Sequence, residues 1–527
     1  MQTKIGTAVL LGLFSLWAAQ GVACRPLPDC GDGNELDGLL CLSGMGGMGG
    51  MGGMGGMGGM GGMGGMGGAG GSGGGIPTSC IPSKAGAPVT GDCGIFVSSS
   101  AGDDANAGTP EAPMKTLTAA VAAAMGPDKL IYACAEDLLE DAGVTIPAGV
   151  TVFGGLECSQ GWVYTGVGSK TIVAAPAGVI PMRLTGGEGT VRIEDVHVRA
   201  ASAVAPGGSS IAVLADGVTT SFARSILEAG NAMAGADGAG PGQPAATGMG
   251  GAVGSNACTA ATVGGAVGPT NACPDGEEST GGDGGNGLSN SGGPGFSGLP
   301  SYSMNGGAGE SGATACKPGG SGIAGTAGAV GVAGTGLGSL DAAGFTGVAG
   351  TDGSPGKTGQ GGGGGGGSKG GTGVGYCVSP PAGGASGGSG GAGGCGGAGG
   401  KAGGGGGSSI ALVSLDATVT FEASELRAKG GGNGGKGGAG QDGGKGGSGG
   451  TGGMGGVNLK AGCSGGAGGN GGKGGTGGGG AGGHSIGVAY RGAMPSAAGV
   501  NITVGSAGLG GGGGASVGVS QQMQEFP

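Results

Sequence analysis

Glycine fills long stretches of this chain so densely that most of the chain cannot build a packed side-chain core. Of 527 residues, 161 are glycine and only 3% are aromatic. Glycine has no side chain to bury, and it loses more backbone entropy on ordering than any other residue. Any hydrophobic core must therefore lie in the glycine-poor stretches, which fall within residues 93–229, 408–429 and 484–527.

The glycine-rich regions span residues 230–407 and 430–483, and much of their sequence has a period of three. Ordering a residue costs roughly 1–2 kcal/mol of backbone entropy, whereas a net hydrogen bond returns only about 0.5–1.5 kcal/mol. These regions can be ordered only where nearly every amide finds a partner, as in packed polyglycine-II helices with three residues per turn. Two interpretations stay open at this point, namely such bundles or a disordered chain.

Short alternating stretches in the glycine-poor parts predict β-strands. Their spacing is regular, because apolar residues recur at intervals of about 20 positions, which is typical of a solenoid. These residues are Tyr132, Val152, Ile172, Ile193 and Val213. The sequence therefore predicts coils of about 20 residues, with inward valines and isoleucines stacked in one column.

A long-range repeat connects the two kinds of region. Residues 209–229 recur as residues 408–428, each copy beginning Ser-Ser-Ile-Ala, and a looser copy begins at His484. In every copy, a strand-like segment runs directly into glycine-rich sequence. We therefore expect 93–229, 408–429 and 484–527 to be solenoid coils, and 230–407 and 430–483 to be insertions that leave from one recurring corner.

The start of the coil region resembles a known family. A strand at residues 95–98 is followed by Gly-Asp-Asp-Ala-Asn-Ala-Gly-Thr at 102–109, by Pro-Met-Lys-Thr-Leu at 113–117, and by an alanine-rich helix to about Met125. This order is similar to the opening of pectin-lyase-like proteins. The resemblance implies an all-β, right-handed parallel β-helix with a short helix over its first coil. The glycine tracts alone resemble the repeats of PGRS-type surface proteins.

Pectin-lyase-like enzymes cluster acidic residues for calcium beside a basic catalytic residue on one strand face. The nearest such set here is Glu194, Asp195, His197 and Arg199, with Arg224 and Glu228 expected to stack one coil on. His197 and Arg199 alternate with Val196 and Val198, which is equally typical of a solvated strand face. The sequence therefore predicts no catalytic site, and Asp195, His197 and Arg199 are the candidates if one exists.

A second candidate site is the loop that carries Asp103, Asp104 and Asn106. Their oxygen atoms are suitable ligands for calcium. The same residue types also favour turns beside glycine. No cofactor is predicted. Calcium at this loop is one alternative, and copper(I) on the methionines of the Met-Gly-Gly tract at 45–66 is another, since thioethers suit soft ions.

The first 24 residues have the pattern of a signal peptide, with Lys4, an apolar run over 5–19, and small residues before Cys24. Gly-Val-Ala-Cys at 21–24 resembles a bacterial lipobox, which implies a lipid anchor on Cys24; ordinary cleavage is the alternative. We expect an exported protein, either a cell-surface or outer-membrane lipoprotein or an extracellular one. Residues 25–92 are predicted to be a cysteine-clipped segment with a Met-Gly-Gly spacer.

Cysteine numbers agree with export. There are 13 cysteines, and lipidation of Cys24 would leave an even 12 for disulfides in an oxidising compartment. Sequence alone cannot fix the connectivity, and proximity along the chain is the only guide to it. The pairs that proximity predicts are Cys30–Cys41, Cys80–Cys93, Cys134–Cys158, Cys258–Cys273, Cys316–Cys377 and Cys395–Cys463.

The net charge of −11 argues against a nucleic-acid partner, which would need a basic surface. Our leading hypothesis is a noncatalytic surface or secreted protein with a structural or adhesive role. Its expected partners are polysaccharide or other cell-surface components, and the membrane through a lipid anchor. The alternatives are a polysaccharide lyase or hydrolase and, third, an ice-binding protein.

Overall fold

The computed structural model describes residues 76–124, 129–166, 168–374, 376–378 and 380–527. Contacts divide the chain into residues 1–71 and 72–527, and every described residue belongs to the second unit. The predicted signal peptide, Cys24, the Cys30–Cys41 pair and the Met-Gly-Gly spacer lie outside the described residues.

Three parallel sheets, A, B and C, account for most of the strands, which are numbered along the chain. Sheet A contains, in spatial order, β1 (Ile95–Val97), β2 (Lys129–Cys134), β5 (Val150–Glu157), β9 (Thr190–Glu194), β12 (Thr219–Ala223) and β19 (Thr418–Glu422), with β6 (Val163–Tyr164) antiparallel to β5. Sheet B contains β3 (Asp137–Leu139), β7 (Thr171–Ala175), β10 (Val196–Ala200), β13 (Ile226–Glu228), β20 (Ser424–Arg427) and β22 (Val500–Thr503). Sheet C contains β4 (Val144–Pro147), β8 (Met182–Thr185), β11 (Ser210–Asp216), β18 (Ser409–Leu415), β21 (Ser485–Arg491) and β23 (Ser520–Glu525).

The chain visits these sheets in rotation, from A to B to C and back to A, from β2 through β5 to β12. Glycine-rich segments leave after β13, β20 and β22 of sheet B, and each one returns to sheet C, at β18, β21 and β23. All three excursions therefore start and finish at the same corner. Two small hairpins lie within the first excursion: β14 (Thr270–Ala272) with β15 (Glu278–Thr280), and β16 (Ser339–Asp341) with β17 (Gly344–Thr346).

Apolar side chains stack in columns between the sheets. In sheet B the register places six residues in one such column: Leu138, Val173, Val198, Leu227, Leu426 and Ile502. All of them are buried, and all belong to one continuous core with residues from sheets A and C. Branched side chains suit this pleated, stacked surface, which explains why valine, isoleucine and leucine dominate the inward positions.

The predicted interval of about 20 residues is wrong for most of the chain. Ile172 and Val213 lie in sheets B and C. Within sheet A, Val152 pairs with Ile193, because the chain between them makes an extra excursion through β6 and the short helix Cys158–Gln160. Tyr132 is also not inward, since its ring stacks on Phe96 and Phe153 in a separate cluster on the outer side of the sheet.

A short helix closes the start of the core. Helix α2 (Leu117–Ala123) follows the four-residue helix α1 (Pro82–Ala85) in the chain, and it buries Leu117 and Ala120 in the main core. The side chain of Thr116 accepts a hydrogen bond from the amide of Ala119, which is a standard N-cap. The carboxylate of Glu140 accepts the Leu117 amide at 2.6 Å, so it stabilises the same helix end.

The glycine-rich excursions pack side by side into a bundle of hydrogen-bonded segments, which we call the glycine bundle. Its segments are residues 233–256, 263–268, 281–287, 292–299, 305–310, 317–334, 348–369, 383–407, 431–455, 462–483 and 506–518. The bonds recur at every third residue, as in Gly391 to Gly466, Gly394 to Gly469 and Gly397 to Gly472. A period of three matches helices of the polyproline-II type.

Glycine is required inside this bundle because backbone atoms occupy the space that a Cβ would need. A Cβ on Gly394 would lie 2.0 Å from the carbonyl oxygen of Gly444, and one on Gly397 would lie 2.1 Å from that of Gln441. In residues 431–453 the third position faces outward, and it carries residues such as Lys436 and Ser448. Two positions of each triplet serve packing here, and the third carries the side chain.

We expect Gly394→Ala to destabilise the full chain by roughly 1–3 kcal/mol, because the new methyl group must displace a neighbouring backbone. Ser448→Ala is the matched control, since Ser448 lies exposed on an adjacent segment, and its effect should stay below about 0.5 kcal/mol. Denaturant unfolding of both variants measures the difference. Equal stability of the two variants would contradict the close packing described here.

Five disulfides brace the described residues. Cys80–Cys93 and Cys134–Cys158 are the pairs that proximity along the chain predicts. The other three predicted pairs are wrong, because the structure joins Cys258 to Cys377, Cys273 to Cys395, and Cys316 to Cys463. Long segments of the bundle run side by side, so residues more than a hundred positions apart are neighbours in space. Disulfides of this number indicate an oxidising compartment.

Candidate functional site

The outer face of sheet B carries the candidate residues His197 and Arg199. Val196 and Val198 are buried in the core, so His197 and Arg199 point outward from β10. His197 Nε2 lies 3.2 Å from Glu228 Oε2, and Arg199 lies 3.3 Å from Asp137. The two candidates therefore bind different carboxylates, one on the adjacent strand β13 and the other on β3, two strands away.

Basic residues from the later coils complete this face. Lys429 Nζ lies 2.9 Å from Glu228 Oε1, and Arg427 lies 3.7 Å from the same carboxylate. Burial would raise the pKa of Glu228, but the contacts with Lys429 and His197 outweigh burial and lower it. Burial lowers the pKa of His197, and Glu228 offsets only part of that effect. His197 therefore favours its neutral form near pH 7.

The third candidate, Asp195, lies apart from that face. It occupies the corner between sheets A and B, where its side chain is 2% exposed. Arg224 binds both Asp195, at 2.7 Å, and Glu194, at 2.6 Å. Lys170 lies 3.8 Å from Asp195, and Tyr164 donates a hydrogen bond to it. We call these five residues the corner cluster.

The corner cluster depends on an unusual backbone. Asp195 and Arg224 both have positive φ, of 56° and 50°, and Ala423 of the next coil has a φ of 46°. A left-handed residue turns the chain sharply from one sheet to the next, and its cost is compensated by surrounding contacts. The next passage of the chain through sheets A and B therefore places Arg224 beside Asp195, as the expected stacking of Arg224 one coil on predicts.

Electrostatics of the corner cluster favour a structural role. Burial alone would lower the pKa of Arg224, but its bonds to Asp195 and Glu194 outweigh burial and raise it. Lys170 behaves differently, since burial lowers its pKa and the attraction of Asp195 does not fully compensate. Guanidinium groups bind both carboxylates of the cluster. Arg224 binds Asp195 and Glu194, and Arg192 also pairs with Glu194.

We expect Arg224→Met to destabilise the protein by about 3–5 kcal/mol, because it leaves two buried carboxylates without their shared partner. Arg199→Met is the matched control: its ion pair is exposed, with side-chain exposures of 46% and 65%, and such pairs contribute about 0–1 kcal/mol. Chemical denaturation at neutral pH compares the two variants. A small loss for Arg224→Met would show that the corner cluster is not structural.

The loop with the calcium candidates uses its oxygens within the chain. Asp104 Oδ1 accepts the amides of Lys115 and Thr116, at 2.9 and 2.8 Å, and thereby fixes the entry to α2. Asp103 accepts the Ala105 amide, and Asn106 donates to the carbonyl of Pro113. These contacts are those of turn-forming residues.

A further buried histidine, not among the predicted site residues, joins three parts of the chain. His484 Nδ1 accepts the Val519 amide at 3.0 Å, and its Nε2 donates to the Leu337 carbonyl at 2.7 Å. The rings of Phe345 and Phe526 pack against it edge-on. His484 therefore fastens the β16–β17 hairpin and the C-terminal strand to sheet C. Its position at the start of the loosest repeat copy is the one signal for it in the sequence.

Acid should weaken this contact. Burial lowers the pKa of His484 from its usual 6.5, and the bond to Leu337 opposes this only in part. A group with a lowered folded-state pKa contributes its full stability above pH 6.5 and loses it as pH falls through the folded-state pKa. The reference chain and the His484→Gln variant both carry His197→Gln, so that only His484 differs between them. We expect the free energy of unfolding of the reference chain to fall below pH 6.5, and that of the His484→Gln variant to fall less. An unchanged pH profile would contradict the neutral form of His484.

Within the described residues, no group of three or more His, Cys, Asp or Glu side chains is placed to hold a metal ion. Among the same residues, no helix has the length and apolar character needed to cross a membrane. No known protein family, curated protein or solved structure matches the chain.

Proposed function

We propose that this chain is a noncatalytic exported protein with a structural or adhesive role, in which a β-solenoid projects a rigid glycine bundle. One observation carries the proposal: the three excursions share a corner and pack into one hydrogen-bonded bundle. A protein in which such a projection takes up about half of the chain has the form of a spacer or contact element. The five disulfides support exposure to an oxidising environment.

The finer architecture belongs to the same proposal. The rotation through three parallel sheets and the cap over the first coil support a right-handed parallel β-helix of the pectin-lyase-like kind. The three-residue period of the hydrogen bonds supports polyglycine-II helices in the bundle. Lipidation of Cys24, retention at the cell surface and contact with polysaccharide remain predictions from the sequence.

The absence of catalysis is supported by how the charged groups are used. A general base must be free to reach a substrate proton. Glu194, Asp195 and Arg224 instead bind one another in a buried cluster. His197 and Arg199 each bind a carboxylate of another strand of sheet B. The alternative, a polysaccharide lyase or hydrolase, would have to use the sheet B face, where Arg199 is the most accessible of the candidates.

Incubation of the full mature chain with polygalacturonate and alginate, with and without calcium, tests the proposal. We expect no unsaturated or reducing ends above background, and retention of intact chain on surface polysaccharide without turnover. Arg199→Ala is the control variant, because it removes the accessible guanidinium and should leave both results unchanged. Cleavage by wild type that Arg199→Ala abolishes would establish the enzyme instead.

A further inference from the structure

Five turns meet at the end of the glycine bundle that lies farthest from the three sheets. Segment 383–407 runs from one of these turns to Ser408, which directly precedes strand β18 of sheet C. At about 3.1 Å per residue, a segment of this length spans on the order of 70 Å. The turns comprise residues 256–262, 288–291, 310–317, 369–382 apart from 375 and 379, and 454–461. We call this group the distal tip.

Covalent and hydrogen bonds hold the distal tip together. The disulfides Cys258–Cys377 and Cys316–Cys463 each join a turn to another part of the tip or to the segment beside it. The amide of Ala257 donates to the carbonyl of Met454, and that of Gly370 to the carbonyl of Leu288. Glu310 accepts the Lys369 amide at 3.0 Å. The turns therefore form one braced surface.

Apolar side chains protrude from this surface. Val374 and Val378 have the exposure of fully solvated residues, at 103% and 100%, and Val457 reaches 92%. Met454 and Tyr376 are 69% and 44% exposed. These side chains project outward, so they suit insertion into a soft apolar medium better than binding of a small ligand.

The charge of the distal tip is opposite in sign to that of the chain. Its lysines are Lys317, Lys369 and Lys460, and its one carboxylate is Glu310, in a chain of net charge −11. Glu310 is buried and bound to Lys460 at 3.0 Å. The Lys369 ammonium donates to the carbonyl of Gly312, and Lys317 is exposed. The outer surface of the tip is therefore both apolar and basic.

We propose that the distal tip binds the surface of a lipid bilayer that contains anionic headgroups. Protruding valines and a methionine would enter the interface, Tyr376 would lie at headgroup level, and the lysines would meet the anionic lipids. The braced turns present these groups without first having to be ordered, which lowers the entropic cost of binding. This proposal rests on the proposed adhesive function and identifies an anionic lipid surface as the partner of the distal tip.

Vesicle sedimentation tests the proposal on the full mature chain carrying Cys24→Ser, so that no acyl chain contributes. We expect binding to mixed phosphatidylcholine and phosphatidylglycerol vesicles, and weaker binding to phosphatidylcholine alone. The triple variant Val374→Ser, Val378→Ser and Val457→Ser should bind at least about tenfold more weakly. Lys317→Gln should reduce the preference for anionic vesicles by roughly fivefold. Tyr376→Trp should show a blue-shifted emission on addition of vesicles.

The matched control is the triple variant Ile323→Ser, Val330→Ser and Val332→Ser, which changes three exposed side chains along the side of the bundle. It should bind vesicles like the parent chain. Equal vesicle binding by the two triple variants, or no binding by the parent chain, overturns the membrane proposal. Retention on polysaccharide without vesicle binding would do the same while leaving the structural or adhesive function intact. Polysaccharide cleavage dependent on Arg199 would instead remove that proposed function.

Discussion

The whole glycine bundle depends on one steric fact, which is that a backbone carbonyl lies where the Cβ of a neighbouring residue would be. The 2.0 Å approach at Gly394 is repeated at many glycines of the bundle. Because no side chain intervenes, the segments come close enough for each third amide to bond to the next segment. Hydrogen bonds replace the hydrophobic core that glycine cannot supply, and they satisfy buried backbone groups that would otherwise be costly.

The three parallel sheets and the bundle meet through a second small interaction. Ser210, Ser409 and Ser485 occupy equivalent positions in sheet C, and their hydroxyls accept the amides of Gly230, Lys429 and Gly505. Each of these amides lies just where the chain leaves sheet B. A hydroxyl at this point satisfies a donor for which the strand ladder has no partner. The serines of the repeated Ser-Ser-Ile segment therefore have a physical role at the exit from the coils.

Local pattern predicted the parts of the fold that depend on neighbouring residues. The alternation of Val196 and Val198 with His197 and Arg199 was sufficient to divide that strand into inner and outer faces, and the Ser-Ser-Ile repeat marked the common corner. Features that depend on stacking between distant coils were not predictable in this way. The pairing of Cys273 with Cys395 and the contact of His484 with Leu337 both require the register of segments far apart in sequence. The coil length also escaped prediction, because the excursion before Thr171 adds residues that no local signal marks as outside the column.

The close backbone packing of the glycine bundle separates the positions that determine stability from those that determine surface chemistry. Inside the bundle, substitution is limited by the neighbouring carbonyls, whereas the outward third position of a segment such as 431–453 makes few contacts that a new side chain would disturb. The turns are less constrained still, since they lie beyond the repeating hydrogen bonds and are fixed by two disulfides and a few single hydrogen bonds. Bulky residues such as Val374 and Tyr376 can be accommodated there because no neighbouring segment needs the space. Chemical variety is therefore expected on the outward edges and at the distal tip, where the packing rule no longer applies, and it is at the tip that apolar and basic side chains occur together.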